Sequence, residues 1–419
     1  MSSLDGALCV DDEHAAQRRR ESSAIYVAFV IFGLGSWTSI NAVFVESSFL
    51  VNLQPERWAL TTWIVVALQA ANLVVLFAMR QLLRVLRPSW TAASAVLLLL
   101  AAGSSLGLAL GGFREVAPVF GEDRSVGLLA LTFIAGLANC GSSLVFYPLA
   151  AAYPRRFTTA LAVGEGLSGS VAGVLGLLQS HLRPSGGLAF GPGPFFASET
   201  AINAVAGAAL LFIHHHPFSE KGPAEVRPGL ASTLAIQGEE VSSSSNSVSL
   251  LSTLWEFRTP LLALFLGSAL SFGVLPSVNP IACLHYTDGQ LVLLWSNVVI
   301  YGFDPVSRLM TAFTNFRRLG WLIGLFLAAA AAVLVAAKAK PSEATPGLLG
   351  WPWVVPVANV VFAAAFGYAR TMAFLILKDA SGSSACAEGR YWAAGFAIQS
   401  GSFCGSVAAL LLVEVFKVF

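Results

Sequence analysis

Trp37, Asn41 and Glu46 follow one another at spacings of four and five residues, so an indole, an amide and a carboxylate fall near one face of a helix. Gly33 and Gly35 just before them leave room for a flat molecule to lie against the indole. Trp37 also has a plain reading as an interfacial belt residue, although it lies mid-segment, where belts do not. Glu46 reads either as part of a site or as a carboxylate reaching outer water.

Further along, polar groups recur inside otherwise apolar stretches: Asn72, Tyr147 before Pro148, Glu165 between Gly164 and Gly166, Asn279, Tyr368, Arg370, Gln399 and Ser402. Polar side chains are costly in such surroundings, so each is a candidate site residue. Glu165 reads equally as a cavity carboxylate or as a helix–helix hydrogen bond. Arg370 lies about 10 Å from a helix end by rise, within snorkelling reach, and reads as an anchor. Pro276 and Pro280 flank Asn279 and free backbone carbonyls, which needs protein or a wet cavity nearby.

Several chemistries find no support. No P-loop, GxSxG, HExxH or paired intramembrane aspartates occur, so ATP-driven transport and proteolysis are not indicated, and neither enzyme nor cofactor is expected. No basic nucleic-acid patch is present. His214-His215-His216 splay around a helix end without accompanying cysteines or carboxylates, which argues against a metal. The five cysteines show no ligand spacing. Cys140 and Cys404 read as core residues, and only Cys283 lies near an outer loop.

The elements that must position these groups follow from composition. Of 419 residues, 56% are hydrophobic and 11% charged, against about a quarter charged in ordinary soluble chains. Mean hydropathy is +0.72. Most of the chain therefore has lipid as its solvent, and a hydrocarbon core takes about 20 apolar residues per helix. Eleven segments qualify: Ile25–Phe44, Trp58–Met79, Thr91–Gly111, Val126–Leu149, Phe157–Leu178, Phe195–Ile213, Leu261–Val278, Leu291–Phe313, Leu319–Ala337, Trp351–Leu377 and Tyr391–Phe416. The expectation is an all-α polytopic membrane protein in a 6+5 two-bundle, major-facilitator-like arrangement. Residues 1–23 form a cytosolic tail without a signal peptide, 24–216 the first bundle, 217–252 a disordered cytosolic loop, and 253–419 the second bundle.

Lys and Arg favour one side by about two to one, which places the N-terminus in the cytosol and, after eleven spans, the C-terminus outside. A trace of duplication supports the two halves. Leu34-Gly35-Ser36 recurs as Leu266-Gly267-Ser268, and Gly169-Ser170-Val171-Ala172 as Gly405-Ser406-Val407-Ala408. Both matches pair span n with span n+6. Gly169 with Gly173 and Gly401 with Gly405 also have the spacing that lets helix backbones approach closely.

Several blocks in order resemble the eukaryotic riboflavin (vitamin B2) transporter family. They are Gly35-Ser36-Trp37 with Asn41 and Val45-Glu46, then Pro55-Glu56 and Trp58; Phe146-Tyr147-Pro148; and Gly164-Glu165-Gly166-Leu167-Ser168. Gly273-Val274-Leu275-Pro276-Ser277-Val278 with Cys283, Leu284 and Tyr286 is the fullest match, and Tyr368, Gln399-Ser400-Gly401-Ser402 and Gly405 complete it. The sequence departs from the family at Ser47-Ser48 for Leu-Pro, Glu165 for Gln, Ser143 and Phe272 for Asn, and Arg370 for Lys.

The resemblance implies a plasma-membrane solute carrier that moves riboflavin by alternating access. Its substrate is a flat, neutral tricycle with carbonyls, an imide N–H and a polyhydroxylated tail. Such a ligand wants an aromatic platform and neutral donors and acceptors. Trp37 would stack, while Asn41, Asn72 and Gln399 would bond the ring edge. Glu46 near Asn279 would gate the outer vestibule. A carrier of nucleosides or a related heterocycle is the alternative, and a membrane-embedded enzyme or a receptor has less support. The partners expected are this small molecule and the lipid bilayer, with no nucleic acid.

Overall fold

Leu, Ala, Val and Phe fill the apolar segments, and in lipid a helix alone satisfies its own backbone. The computed structural model is accordingly almost all helix; it describes residues 23–86, 88–119, 121–151, 153, 155–181, 188–216, 255–311, 313–340, 345–379 and 384–418. The expected tail lies outside the described residues apart from Ser23, as does the expected loop at 217–252. The first half comprises α1 (Ser23–Leu34), α2 (Thr38–Leu50), α3 (Leu60–Val74), α4 (Arg80–Leu86), α5 (Trp90–Ala109), α6 (Val126–Ala151), α7 (Arg155–His181) and α8 (Pro192–His215). The second comprises α9 (Arg258–Ala269), α10 (Leu275–Cys283), α11 (Gly289–Met310), α12 (Leu319–Ala339), α13 (Val354–Asp379) and α14 (Ser384–Leu410). A short antiparallel hairpin, β1 (Ala117–Val119) and β2 (Glu122–Arg124), caps the turn between α5 and α6 and pairs Ala117 with Arg124.

One expectation needs correction and one is met only in part. The first span is two helices, α1 and α2, bent by 50° at Gly35–Trp37. There Ser36 Oγ and Thr38 Oγ1 donate to the carbonyls of Gly33 and Leu34, at 2.7 and 2.6 Å. Secondly, among the described residues nine helices are long and apolar enough to cross a membrane, or ten if that bent pair is one span. The candidate beginning at Leu291 is absent from that set: α11 carries Asn297, Asp304 and Arg308, and its polar face lowers its apolarity. The sixth segment starts among prolines yet is a regular helix, because they fall in the first turn, where no amide donor is needed.

Glycines set the closest helix crossings. A Cβ at Gly164 would strike the backbone of Val30 and approach Gly33 Cα at 3.0 Å, so α7 lies directly on α1. The second half repeats this crossing between α14 and the seventh segment, where Gly401 and Gly405 abut the backbones of Phe265 and Ala269 and Gly273 abuts Gly405. The crossing of α1 with α7 thus corresponds to that of α9 with α14, as the sequence repeats imply. Gly169 faces the Tyr301 ring and Gly173 faces Val298, joining α7 to α11 across the halves.

Prolines are answered by serines on neighbouring helices. Pro276 cannot donate to Phe272 O, and Ser406 Oγ reaches that carbonyl at 3.4 Å. Pro305 likewise leaves Tyr301 O free, and Ser170 Oγ donates to it at 3.2 Å.

The core is unevenly divided. One cluster joins both halves, with Val43, Val45, Leu50 and Leu60 meeting Val278, Cys283, Leu294 and Val355. At the other end, Phe29, Phe157 and Ile213 form a core belonging to the first half alone. Leu264, Met372 and Ala394 form one belonging to the second alone. The halves are fused at one end and separately packed at the other.

Candidate functional site

Between the halves lies a cavity of about 330 Å³, the size of pockets that hold small organic ligands. Trp37, Asn41, Asn72, Glu165, Gln399 and Ser402 line it, so six of the residues singled out from sequence converge although they come from α2, α3, α7, α14 and the α1–α2 bend. The bend and the Gly33–Gly164 crossing explain much of this. They turn Trp37 and Asn41 inward and bring Glu165 beside them. The Trp37 ring lies 6.2 Å from that of Phe272 at an interplanar angle of 34°, giving the cavity an aromatic wall shared by both halves. Trp37 Nε1 is buried without a hydrogen-bond partner among the described residues.

A row of amides crosses the same space. Asn72 Nδ2 donates to Gln399 Oε1 at 2.6 Å and to Gln69 Oε1 at 3.2 Å, linking α3 to α14. Asn72 Oδ1 has no hydrogen-bond partner among the described residues. Asn41 Nδ2 donates to Ser168 Oγ at 3.1 Å, which fixes its orientation. Ser402 Oγ donates to Ile398 O. Tyr147 stands behind the wall and donates to Glu165 Oε2 at 2.5 Å, so Glu165 is at once a cavity carboxylate and a helix–helix hydrogen bond.

The remaining candidates lie elsewhere. Glu46 is fully buried and accepts from Gln179 Nε2 at 3.1 Å. Asn279 accepts from Asn359 at 3.1 Å, so Glu46 and Asn279 have separate partners instead of pairing with each other. Tyr368 Oη accepts from Phe316 N at 2.9 Å and donates to Thr314 O, tying down the loop between α11 and α12. Helical phase explains these cases: sequence distance along a span says little about which face meets the cavity.

Three further readings change. Arg370, expected as an anchor, lines the cavity. Cys283 is completely buried in the shared core. Cys404 is exposed on its helix, whereas Cys140 lines the cavity. His214 and His215 meet edge to face at 5.1 Å, and no cluster of potential metal ligands occurs among the described residues.

Sequence reasoning missed Gln69, Ser271, Tyr301, Asp304 and Arg308 as cavity residues. The available signal was Asp304 and Arg308, an acid and a base four residues apart on one helix. They form an ion pair at 2.5 Å.

At the fused end the halves are held by polar contacts. Asn297 Nδ2 donates to Phe44 O at 2.8 Å and Ser48 Oγ at 3.3 Å. Trp63 Nε1 donates to Glu414 Oε1 at 3.1 Å, and the Arg124 guanidinium sits 4.3 Å from the Trp63 ring. Glu56 accepts from Ser125 N and Oγ at 2.7 and 2.9 Å, anchoring the foot of the hairpin.

A polytopic helical protein in two halves, with one polar and aromatic cavity between them, has the form of a major-facilitator-like membrane transporter. Solved structures share that fold. The nucleoside transporter NupG superposes with a TM-score of 0.56 at 12% identity, covering 94% of this chain and 90% of that one. The inward-open xylose transporter XylE from E. coli does so with a TM-score of 0.54 at 12% identity, covering 95% and 92%. The model of solute carrier family 52, riboflavin transporter, matches residues 21–184 and 189–419, and the chain belongs to that family. Its relatives include riboflavin transporter member 2 of Homo sapiens, 29% identical over 446 residues, covering 94% of this chain and 95% of the relative. Member 3-A of Danio rerio is 27% identical over 445 residues, covering 94% and 96%.

Proposed function

We propose that this chain carries riboflavin across the plasma membrane by alternating access, without ATP, through the cavity between its halves. The observation that carries this reading is the pairing of an aromatic wall, Trp37 with Phe272, with the Asn72–Gln399 amide row, in a chain whose relatives are named riboflavin transporters. A flat ring would lie against the indole. Asn41, Asn72 and Gln399 would exchange hydrogen bonds with its edge, and Ser402 and Glu165 would accept from tail hydroxyls.

In this reading the chain crosses the membrane eleven times, six plus five, with α11 as the eighth span despite its polar face. That helix lines the cavity, so its polar residues face protein and ligand instead of lipid. The N-terminus is cytosolic and the C-terminus extracellular. The fused end is then extracellular, the cavity faces the cytosol, and Glu46 and Asn279 belong to the closed outer gate.

Uptake of radiolabelled riboflavin into cells expressing the chain tests the proposal. Saturable uptake, displaced by unlabelled riboflavin and not by nucleosides, is expected. Absence of saturable riboflavin uptake, with saturable uptake of a labelled nucleoside, would overturn it in favour of a nucleoside carrier.

A further inference from the structure

Four charged side chains gather along the cavity: Glu165 from α7, Asp304 and Arg308 from α11, and Arg370 from α13. Three are engaged. Glu165 accepts the Tyr147 hydroxyl, and Asp304 pairs with Arg308 one helical turn away. Arg370 makes no hydrogen bond or ion pair among the described residues, although the charges of Arg308, Asp304 and Glu165 all act on it.

The backbone explains why this guanidinium stands alone. A Cβ at Gly367 would meet Asp304 Oδ1 at 2.9 Å and collide with Ser307 Oγ, so α13 rests directly on that turn of α11. Arg370 follows three residues later, on the same side of α13. It is delivered to the neighbourhood of Asp304, but the carboxylate is already committed to Arg308. A guanidinium that lines a cavity without a carboxylate partner keeps its N–H donors free for a molecule that enters.

The missing acceptor has a definable chemistry. Arg carries five N–H donors in a rigid planar fork, suited to two acceptors held side by side in one plane. The four cavity charges, two carboxylates and two guanidiniums, already cancel. A neutral acceptor edge therefore satisfies the fork without leaving a buried net charge, whereas an anionic group would face Glu165 and Asp304.

We infer that Arg370 is a specificity-determining residue whose guanidinium donates to a ring carbonyl of the transported molecule and to the ring nitrogen beside it. This inference rests on the riboflavin reading above. Riboflavin presents two such edges, the C2 carbonyl beside N1 and the C4 carbonyl beside N5, each a coplanar pair of acceptors. Stacked on Trp37, its ring edge is held by Arg370 and the amide row from opposite sides of the cavity, so the substrate bridges the two halves.

The test measures binding by flavin fluorescence on the purified full chain, using riboflavin, 2-thioriboflavin and 4-thioriboflavin. Each thio analogue replaces one ring carbonyl oxygen by a weaker-accepting sulfur. The wild-type protein should disfavour at least one of them. Arg370→Met should raise the Kd for riboflavin about 10- to 100-fold, the worth of a hydrogen bond to a charged group, and abolish the preference between oxygen and sulfur ligands. Arg370→Lys, which keeps the charge and loses the fork, should retain part of the preference. A merely structural role would weaken all three ligands in parallel and leave the preference intact, which overturns the inference. So does a wild-type protein that binds riboflavin and both thio analogues equally well. If the wild-type protein binds no riboflavin, the functional reading itself falls.

Discussion

Replacing Glu414 by Ala should release the fused end of the transporter. Glu414 joins the last helix of the second half to Trp63 of α3 and Arg124 of the hairpin, both in the first half. The Trp63 bond to a carboxylate is charge-assisted and is worth about 1.5–3 kcal/mol. The Arg124 ion pair is longer, at 3.8 Å, and partly exposed, so it adds at most about 1 kcal/mol. Arg124 also keeps Glu122 as a partner and retains its place over the Trp63 ring, which limits the loss further. If the clasp is absent when this end opens, Glu414→Ala destabilises the closed state by about 2–3 kcal/mol, a 30- to 150-fold shift in the open-to-closed ratio.

Cys283 supplies a native reporter, because it is completely buried in the core that joins the halves. In a variant retaining only this cysteine, its labelling by a membrane-impermeant maleimide should accelerate by about that 30- to 150-fold factor in Glu414→Ala. Glu414→Gln keeps an acceptor for Trp63 and should fall between. An unchanged labelling rate in Glu414→Ala, with normal folding, would refute the clasp as a determinant of opening.

Trp37→Ala should weaken riboflavin binding by about 1–3 kcal/mol, roughly 5- to 150-fold in Kd by flavin fluorescence, and Trp37→Phe should be milder. Equal small effects would make Trp37 a packing residue. Gly164→Ala places a methyl against the Val30 backbone and should lower thermal stability and transport, whereas Gly103→Ala, where a Cβ meets nothing within 4 Å, should leave both unchanged. An epitope inserted at Ser242–Ser245 should be reachable only in permeabilised cells, and one after Phe419 in intact cells; labelling of both from the same side would contradict the eleven-span arrangement.

The sequence by itself determined the solvent, the helical class, the approximate place of each segment and the duplication. Lipid admits few backbone solutions, and apolar runs of spanning length have one simple reading. It also determined that Trp37, Asn41, Asn72, Glu165, Gln399 and Ser402 were unusual, because polar groups inside apolar runs stand out without any structure. The positions of Gly33, Gly164, Gly273 and Gly405 even carried the symmetry of the helix crossings.

Only the tertiary structure decided which unusual residues share a cavity. Glu46, Asn279 and Tyr368 are as conspicuous in the sequence as Asn72, yet they are bonded to Gln179, Asn359 and the α11–α12 loop. The bend at Gly35–Trp37 and the rotation of α11 and α13 sort them. Those depend on contacts between segments more than a hundred residues apart, such as Val30 with Gly164, which no local pattern encodes. Arg370 shows the same limit: a guanidinium near a helix end snorkels by default, and it becomes a cavity residue because Gly367 seats α13 on Asp304 and Ser307.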